Sequence, residues 1–235
     1  MSKLKYTLIF LSCCFLTQAI SLDLPAIDPN VYKWTNFIEA LQSQEGGKIP
    51  PPFPPVELLA EKYLQPGSVV LDIGCETGKN AASLIKNCHK VVLLDIASNA
   101  LSYTIANLSR EGLSHGVLDS LNVQIEEFQL EHAPFQAVIG THAFSFIPPK
   151  LFDATIKKKI FDCIEIGGYF VGGFFGEQHA WADRPEMSIF SFERLETLFI
   201  SSGFRLIELS EVTQEERLTI SGEFVRFHTF NIIAQ

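Results

Sequence analysis

From residue 56 to the C-terminus the chain alternates between two hydrophobic periods, and that alternation leaves few architectures open. Short apolar runs recur: "SVVLDIG", "VVLLDI", "AVIG" and "GYFVGGFF" are apolar almost throughout, and "LNVQIE" places Leu121, Val123 and Ile125 on one face. Runs of this length are what parallel strands covered on both faces require. Stripes at helical spacing lie between them. Ala81, Leu84, Ile85 and Cys88 mark a helix starting at Lys79. Leu101, Ile105 and Leu108 mark one that Ser98 caps and Gly112 ends. Phe152, Ile156, Ile160 and Cys163 mark one over 149–164, and Leu195, Leu198 and Phe199 one begun by Ser191. Strand and helix in this order predict a doubly wound, Rossmann-like α/β fold with a mostly parallel sheet. "RLIELSEV" and "FVRFHTFNII" have no helical stripe between them. They are expected as an antiparallel pair, closing the sheet with an antiparallel C-terminal edge strand.

Upstream the character changes. Residues 22–55 form a proline-rich lead-in containing "KIPPPFPP", expected to be extended, with one helix at 36–42. Residues 1–21 carry Lys3 and Lys5, an apolar run over 7–16, and Ala19 or Ser21 as a cleavage point, which together read as an export signal. The run is short of the roughly 20 residues of a membrane span, so no stable span is expected. The organisation is therefore 1–21 signal-like, 22–55 lead-in, 56–235 domain. Cys75, Cys88 and Cys163 are scattered, form no disulfide framework and offer no zinc pair, so no metal is expected; they read as small buried hydrophobes. Such cysteine usage fits a reducing compartment, and a cytoplasmic location stands as the alternative to export.

Charge narrows the partners. The net charge is -9, and no basic run exceeds Lys157, Lys158 and Lys159. A duplex or an acidic membrane needs a concentrated basic face. A small-molecule substrate is expected instead, and the oligomeric state is left open.

The loop "VVLDIGCETGKN" lies between a predicted strand and a predicted helix. As a phosphate loop it fails: three residues, not four, separate Gly74 from Gly78, and Asn80 stands where a magnesium-binding hydroxyl belongs. As a dinucleotide fingerprint it fails too, because Glu76 and Lys79 occupy glycine positions and a carboxylate opposes a pyrophosphate.

The same loop closely resembles motif I of the class I S-adenosylmethionine (SAM) methyltransferases: hydrophobic strand, Asp, any residue, Gly, Cys, two residues, Gly. That resemblance implies SAM as the cofactor, a cationic ligand that tolerates nearby carboxylates. It implies that Asp72, Gly74, Cys75 and Gly78 form the cofactor loop. It also implies that Asp95, about 20 residues on, accepts the ribose hydroxyls beside Ile96. Glu126 or Glu127 would stand near the adenine, and Gly140, Thr141 and His142 near the methionine end. The tail "FSFERLETLFISSGFRLIEL" is similar to that of small methyltransferases, including the tellurite-resistance type. Glu76 departs from the family, where glycine is common; it either crowds the cofactor or tilts outward. The implied activity is methyl transfer to a small-molecule or soft nucleophile. His142, His179 and Arg184 are the catalytic candidates, with Phe144, Trp181 and His228 as further lining candidates. The alternative is an inactive, exported binding module on the same fold.

Overall fold

The computed structural model describes residues 29–129, 134–220 and 222–235. The expected export segment, residues 1–21, lies outside them. Seven strands form one sheet in the order β3-β2-β1-β4-β5-β7-β6. They are β1 (Val69–Ile73), β2 (Lys90–Asp95), β3 (Val117–Asn122), β4 (Phe135–Gly140), β5 (Ile164–Phe175), β6 (Leu206–Leu218) and β7 (Phe224–Ala234). Strands β1 to β5 pair in parallel, and β7 runs antiparallel to both β5 and β6. The doubly wound sheet is present as expected, with its antiparallel pair on one side. The order within the pair has a physical reason. The second half of β7 buries Phe230, Ile232, Ile233 and Ala234, apolar on both faces, and pairs with β5 on one side and β6 on the other. β6 is rich in glutamate and tolerates the edge, where charge discourages further pairing.

The helices are α1 (Pro29–Glu45), α2 (Pro54–Lys62), α3 (Lys79–Lys86), α4 (Ser98–Arg110), α5 (Pro149–Thr155) and α6 (Phe192–Ser201). α5 continues through a π turn, Ile156–Ile160, and a 3-10 turn, Phe161–Cys163, into β5. Alternating strand residues feed two cores. Leu71, Val138, Phe170 and Phe174 face one side of the sheet; Val70, Ala137, Ile139 and Val171 face the other.

Several local expectations are corrected. The lead-in is not mainly extended: α1 is far longer than 36–42, and α2 starts inside the proline run. Pro54 and Pro55 fit there because the first helical turn needs no intrahelical N–H bond. The third strand ends at Asn122, and Ile125–Glu127 form a 3-10 turn. Ser98 is the first helical residue; the cap position is Ala97, whose N–H is taken by the Asp95 carboxylate at 2.9 Å. Ser191 does cap α6, accepting from the Arg194 N–H at 3.2 Å. Ile105 is 40% exposed and does not point inward. Cys88 is exposed in the turn after α3, so only Cys75 and Cys163 are buried.

Candidate active site

The ends of β1, β2, β4 and β5 meet at one rim of the sheet. Register pairs Asp72 with Leu93 and Ile139, and Gly140 with Gly172. The chain leaves β3 at the edge and re-enters at β4, beside β1. Loops leaving β1 and β4 diverge there and open a crevice, the usual binding place in such sheets.

The loop after β1 is held by backbone bonds. The Gly74 and Cys75 N–H groups donate to the Leu94 carbonyl at 2.8 and 3.3 Å, and the Gly78 N–H to Cys75 at 2.9 Å. Gly74 and Gly78 take left-handed φ values of 69° and 97°, which glycine adopts without strain. Glu76 takes φ 52°, a conformation costing an L-residue about 1–2 kcal/mol. Its carboxylate pairs with Lys79 at 2.5 Å, each side chain 22% exposed. Burial works against the Lys79 charge, but Glu76 outweighs it and raises the Lys79 pKa.

Asp95 joins this loop to the next. One carboxylate oxygen accepts from the Ala97 N–H and the other from the Glu76 N–H at 3.3 Å. A carboxylate offers about four acceptor positions, so capacity remains for a ligand's hydroxyls. Asn122 steadies the turn by donating to the Asp95 and Ile96 carbonyls at 3.0 and 2.8 Å. Burial raises the Asp95 pKa to about 6, partly offset by the Ala97 and Glu76 N–H groups. Asp72, fully buried below the loop, has no hydrogen-bond partner on either oxygen among the described residues. Burial, then the Glu76 charge, raise its pKa to about 7; Lys79 pulls the other way.

A cavity of about 530 Å³ opens above these groups. One half is lined by Gly74, Glu76, Asp95, Ile96, Ile125 and Glu126. The other half is aromatic, built by Trp34, Phe37, Phe146, Phe175, Trp181 and Phe227. Thr141 sits at the junction, its hydroxyl accepting from Asn80 Nδ2 at 2.9 Å, while Asn80 Oδ1 accepts from the Phe53 N–H at 3.0 Å.

The candidate residues divide. Gly74, Asp95, Ile96, Glu126, Thr141, His142, Trp181 and Arg184 reach the cavity. Asp72 and Gly78 support it from beneath. Cys75 does not reach it: its sulfur turns into the core against the Thr104 hydroxyl at 3.7 Å, and burial raises its pKa far above normal. Glu127 is exposed and does not line it. Phe144 belongs to the core. His179 stands behind the cavity wall, stacked on Phe175 at 4.1 Å, with Nδ1 accepting from the Trp181 N–H. Burial lowers its pKa to about 4. His228 is structural: Nδ1 accepts from the Gln178 N–H, and Nε2 meets Glu211 at 2.7 Å. His142 keeps a buried Nε2 without a partner among the described residues, and burial lowers its pKa to about 3.

Sequence reasoning missed α1 and the β6–β7 hairpin as walls. Trp34, Phe37, Ile38 and Leu41 carry helical spacing that marks the α1 face. Arg217 carries no local signal, because "EERLTI" reads as a solvated turn, and Phe227 was legible only as part of the strand "FVRFHTFNII".

The cavity suits SAM on its own chemistry. In the first half Glu76, Asp95 and Glu126 line it and Asp72 lies unpartnered beneath, four carboxylates against Lys79 there. That set favours a cationic ligand carrying hydroxyls, and Ile96 and Ile125 offer apolar contact to a flat base.

Residues 70–168 match the family model described as a methyltransferase domain. No curated protein matched the sequence. Among solved structures, a SAM-dependent methyltransferase from Methanosarcina mazei is 19% identical, with TM-score 0.60, covering 79% of this chain and 98% of its own. TehB from Haemophilus influenzae is 17% identical, with TM-score 0.64, covering 84% of this chain and 66% of its own. The [4+2]-cyclase SpnF is 16% identical, with TM-score 0.67, covering 87% and 94%. At these identities the structures establish a shared fold. Residues 70–168 thus match a methyltransferase domain, and the chain as a whole shares the fold of SAM-dependent methyltransferases.

Proposed function

We propose that the chain methylates a small molecule bound in the aromatic half of the cavity. The observation that carries this reading is continuity: the carboxylate-lined half opens directly into a half walled by Trp34, Phe146, Phe175, Trp181 and Phe227. When bound, SAM supplies an already activated methyl group on a cationic sulfur. The protein's remaining task is to orient the acceptor in line and exclude water, which carries much of such a reaction. Asp95 holds the ribose hydroxyls, and Glu126 stands at the base end. His142, neutral at physiological pH because its pKa is about 3, forms an uncharged part of the wall beside the incoming nucleophile. Arg184 contacts the acceptor at the mouth. His179 acts through Phe175, fixing its ring. An acceptor of this size also accords with a net charge of -9, which disfavours nucleic acid.

Methyl transfer from isotopically labelled SAM into a panel of small acceptors tests the activity, with calorimetric titration of SAM and its demethylated product S-adenosylhomocysteine (SAH) alongside. Binding without transfer to any acceptor would favour the inactive binding module instead. We also propose export through residues 1–21, with cleavage after Ala19 or Ser21. N-terminal sequencing of the mature protein tests this; a product beginning at Met1 in the cytoplasm would exclude it.

A further inference from the structure

Three cations gather at the mouth of the aromatic half, each from a different part of the chain. Lys33 comes from α1, Arg184 from the segment after β5, and Arg217 from the end of β6. None makes an ion pair among the described residues, whereas Lys79, Lys86, Arg194 and Arg226 each do. In a chain with 27 acidic and 18 basic residues, carboxylate partners are in surplus. Glu186 stands at the same mouth and pairs with none of the three.

Each cation rests instead on a ring of the cavity wall. Lys33 Nζ lies 5.3 Å from the Trp34 centroid and 5.6 Å from that of Phe146. The Arg184 guanidinium lies 4.9 Å from Trp181, and that of Arg217 lies 4.2 Å from Phe227. A ring face orients a guanidinium without consuming its N–H donors. The donors therefore stay available beside an apolar chamber. The carboxylates that line the cavity elsewhere, Glu76, Asp95 and Glu126, belong to the cofactor half, and Lys79 occupies Glu76.

We propose that the acceptor is an organic carboxylate with a flat, apolar body. The body packs among Phe146, Trp181 and Phe227, and Arg217 and Arg184, with Lys33 beside them, bind the carboxylate. Guanidinium forks match a carboxylate in two-point geometry, and three uncompensated cations repel an amine of the same shape. The inference rests on the methyltransferase reading and narrows it to one substrate class.

The test is calorimetry on the full chain. SAH binding is measured first. With SAH saturating, 2-naphthoate and 3-phenylpropanoate are titrated against their uncharged primary amides. The acids should bind at least ten-fold more tightly than the amides, with an advantage that shrinks as salt rises. Arg217→Gln should reduce acid affinity by roughly ten- to a hundred-fold, the usual worth of a charge-assisted hydrogen bond. Its amide and SAH affinities should stay as in the parent, which also shows that the variant is folded. Acids and amides binding alike, or neither binding while SAH does, would overturn the inference and leave the methyltransferase reading standing. Absence of SAH binding in the parent protein would remove both.

Discussion

At the scale of single residues the cofactor half depends on carboxylates whose burial is only partly compensated without a ligand. Asp95→Ala removes a charged acceptor from a ligand's hydroxyls. Such bonds are worth roughly 1.5–3 kcal/mol, so SAM affinity should fall by about ten- to a hundred-fold in a calorimetric titration. Asp95→Asn keeps one acceptor oxygen and should lose less. Asp72 gives a pH dependence. With its pKa raised to about 7, it is ionised at pH 8 and largely protonated at pH 6. SAM affinity should therefore drop as pH falls from 8 to 6, by up to about ten-fold from Asp72. Asp72→Asn should flatten the fall between 8 and 7 and leave the smaller loss toward pH 6 that protonation of Asp95, with its pKa of about 6, adds. His142 and His179, with pKa values of about 3 and 4, stay neutral across that window and do not contribute. In the ligand-free protein the sign for stability is opposite. A raised carboxylate pKa means that folding takes up a proton. Asp72 therefore weakens the fold as pH rises from about 4 to 7, and its full penalty is present above 7. The resemblance marked Asp72 and Asp95 as cofactor residues, but a sequence does not show that Asp72 is unpartnered.

At the scale of elements, α1 is the least anchored wall of the cavity. It meets α4 through a small cluster of Ile38, Ala97 and Ala100, with Trp34, Phe37, Leu41 and Tyr103 packed against it. Polar contacts add to this: the Tyr103 hydroxyl donates to Glu39 at 2.7 Å, and Asn99 Nδ2 to the Thr35 carbonyl at 3.0 Å. Net contributions of single hydrogen bonds such as these are only about 0.5–1.5 kcal/mol. α3 and α4 are instead tied into the larger core. Amide hydrogen exchange should therefore be faster in α1 than in α3, and saturating SAH should slow α1 selectively. Equal protection of α1 and α3 in the ligand-free protein would contradict this. The helical stripe of α1 was legible in the sequence, but the neighbouring prolines drew attention to an extended chain. A proline run limits only its own residues, and Pro54 and Pro55 initiate α2 where no N–H bond is lost.

At the scale of the molecule, period-two alternation on β5 separates stability from function. Phe174 is fully buried among Phe144, Phe170, Phe190 and Phe199, while its neighbour Phe175 lines the cavity. Phe174→Ala should destabilise the fold by about 3–5 kcal/mol, lowering the melting temperature by roughly 10 °C in a chain of this size. SAM affinity measured well below the transition should change little. A variant that melts normally but loses SAM would show that the two faces of β5 are not independent.

What the sequence determined by itself was local and periodic. Strand and helix alternation set the doubly wound sheet, because the hydrophobic period acts over a few residues, and the motif from Asp72 to Gly78, with Asp95 after it, carried the resemblance that implied a cofactor loop. Tertiary structure decided everything that required distant residues to meet. It placed His179 behind Phe175, turned Cys75 inward, and brought Lys33, Arg184 and Arg217 to one mouth from three separate elements. It also set β7 between β5 and β6, leaving the glutamate-rich β6 at the edge, where charge discourages further pairing. The acceptor half is assembled wholly from such long-range meetings, and the local pattern around Arg217 carries no trace of them.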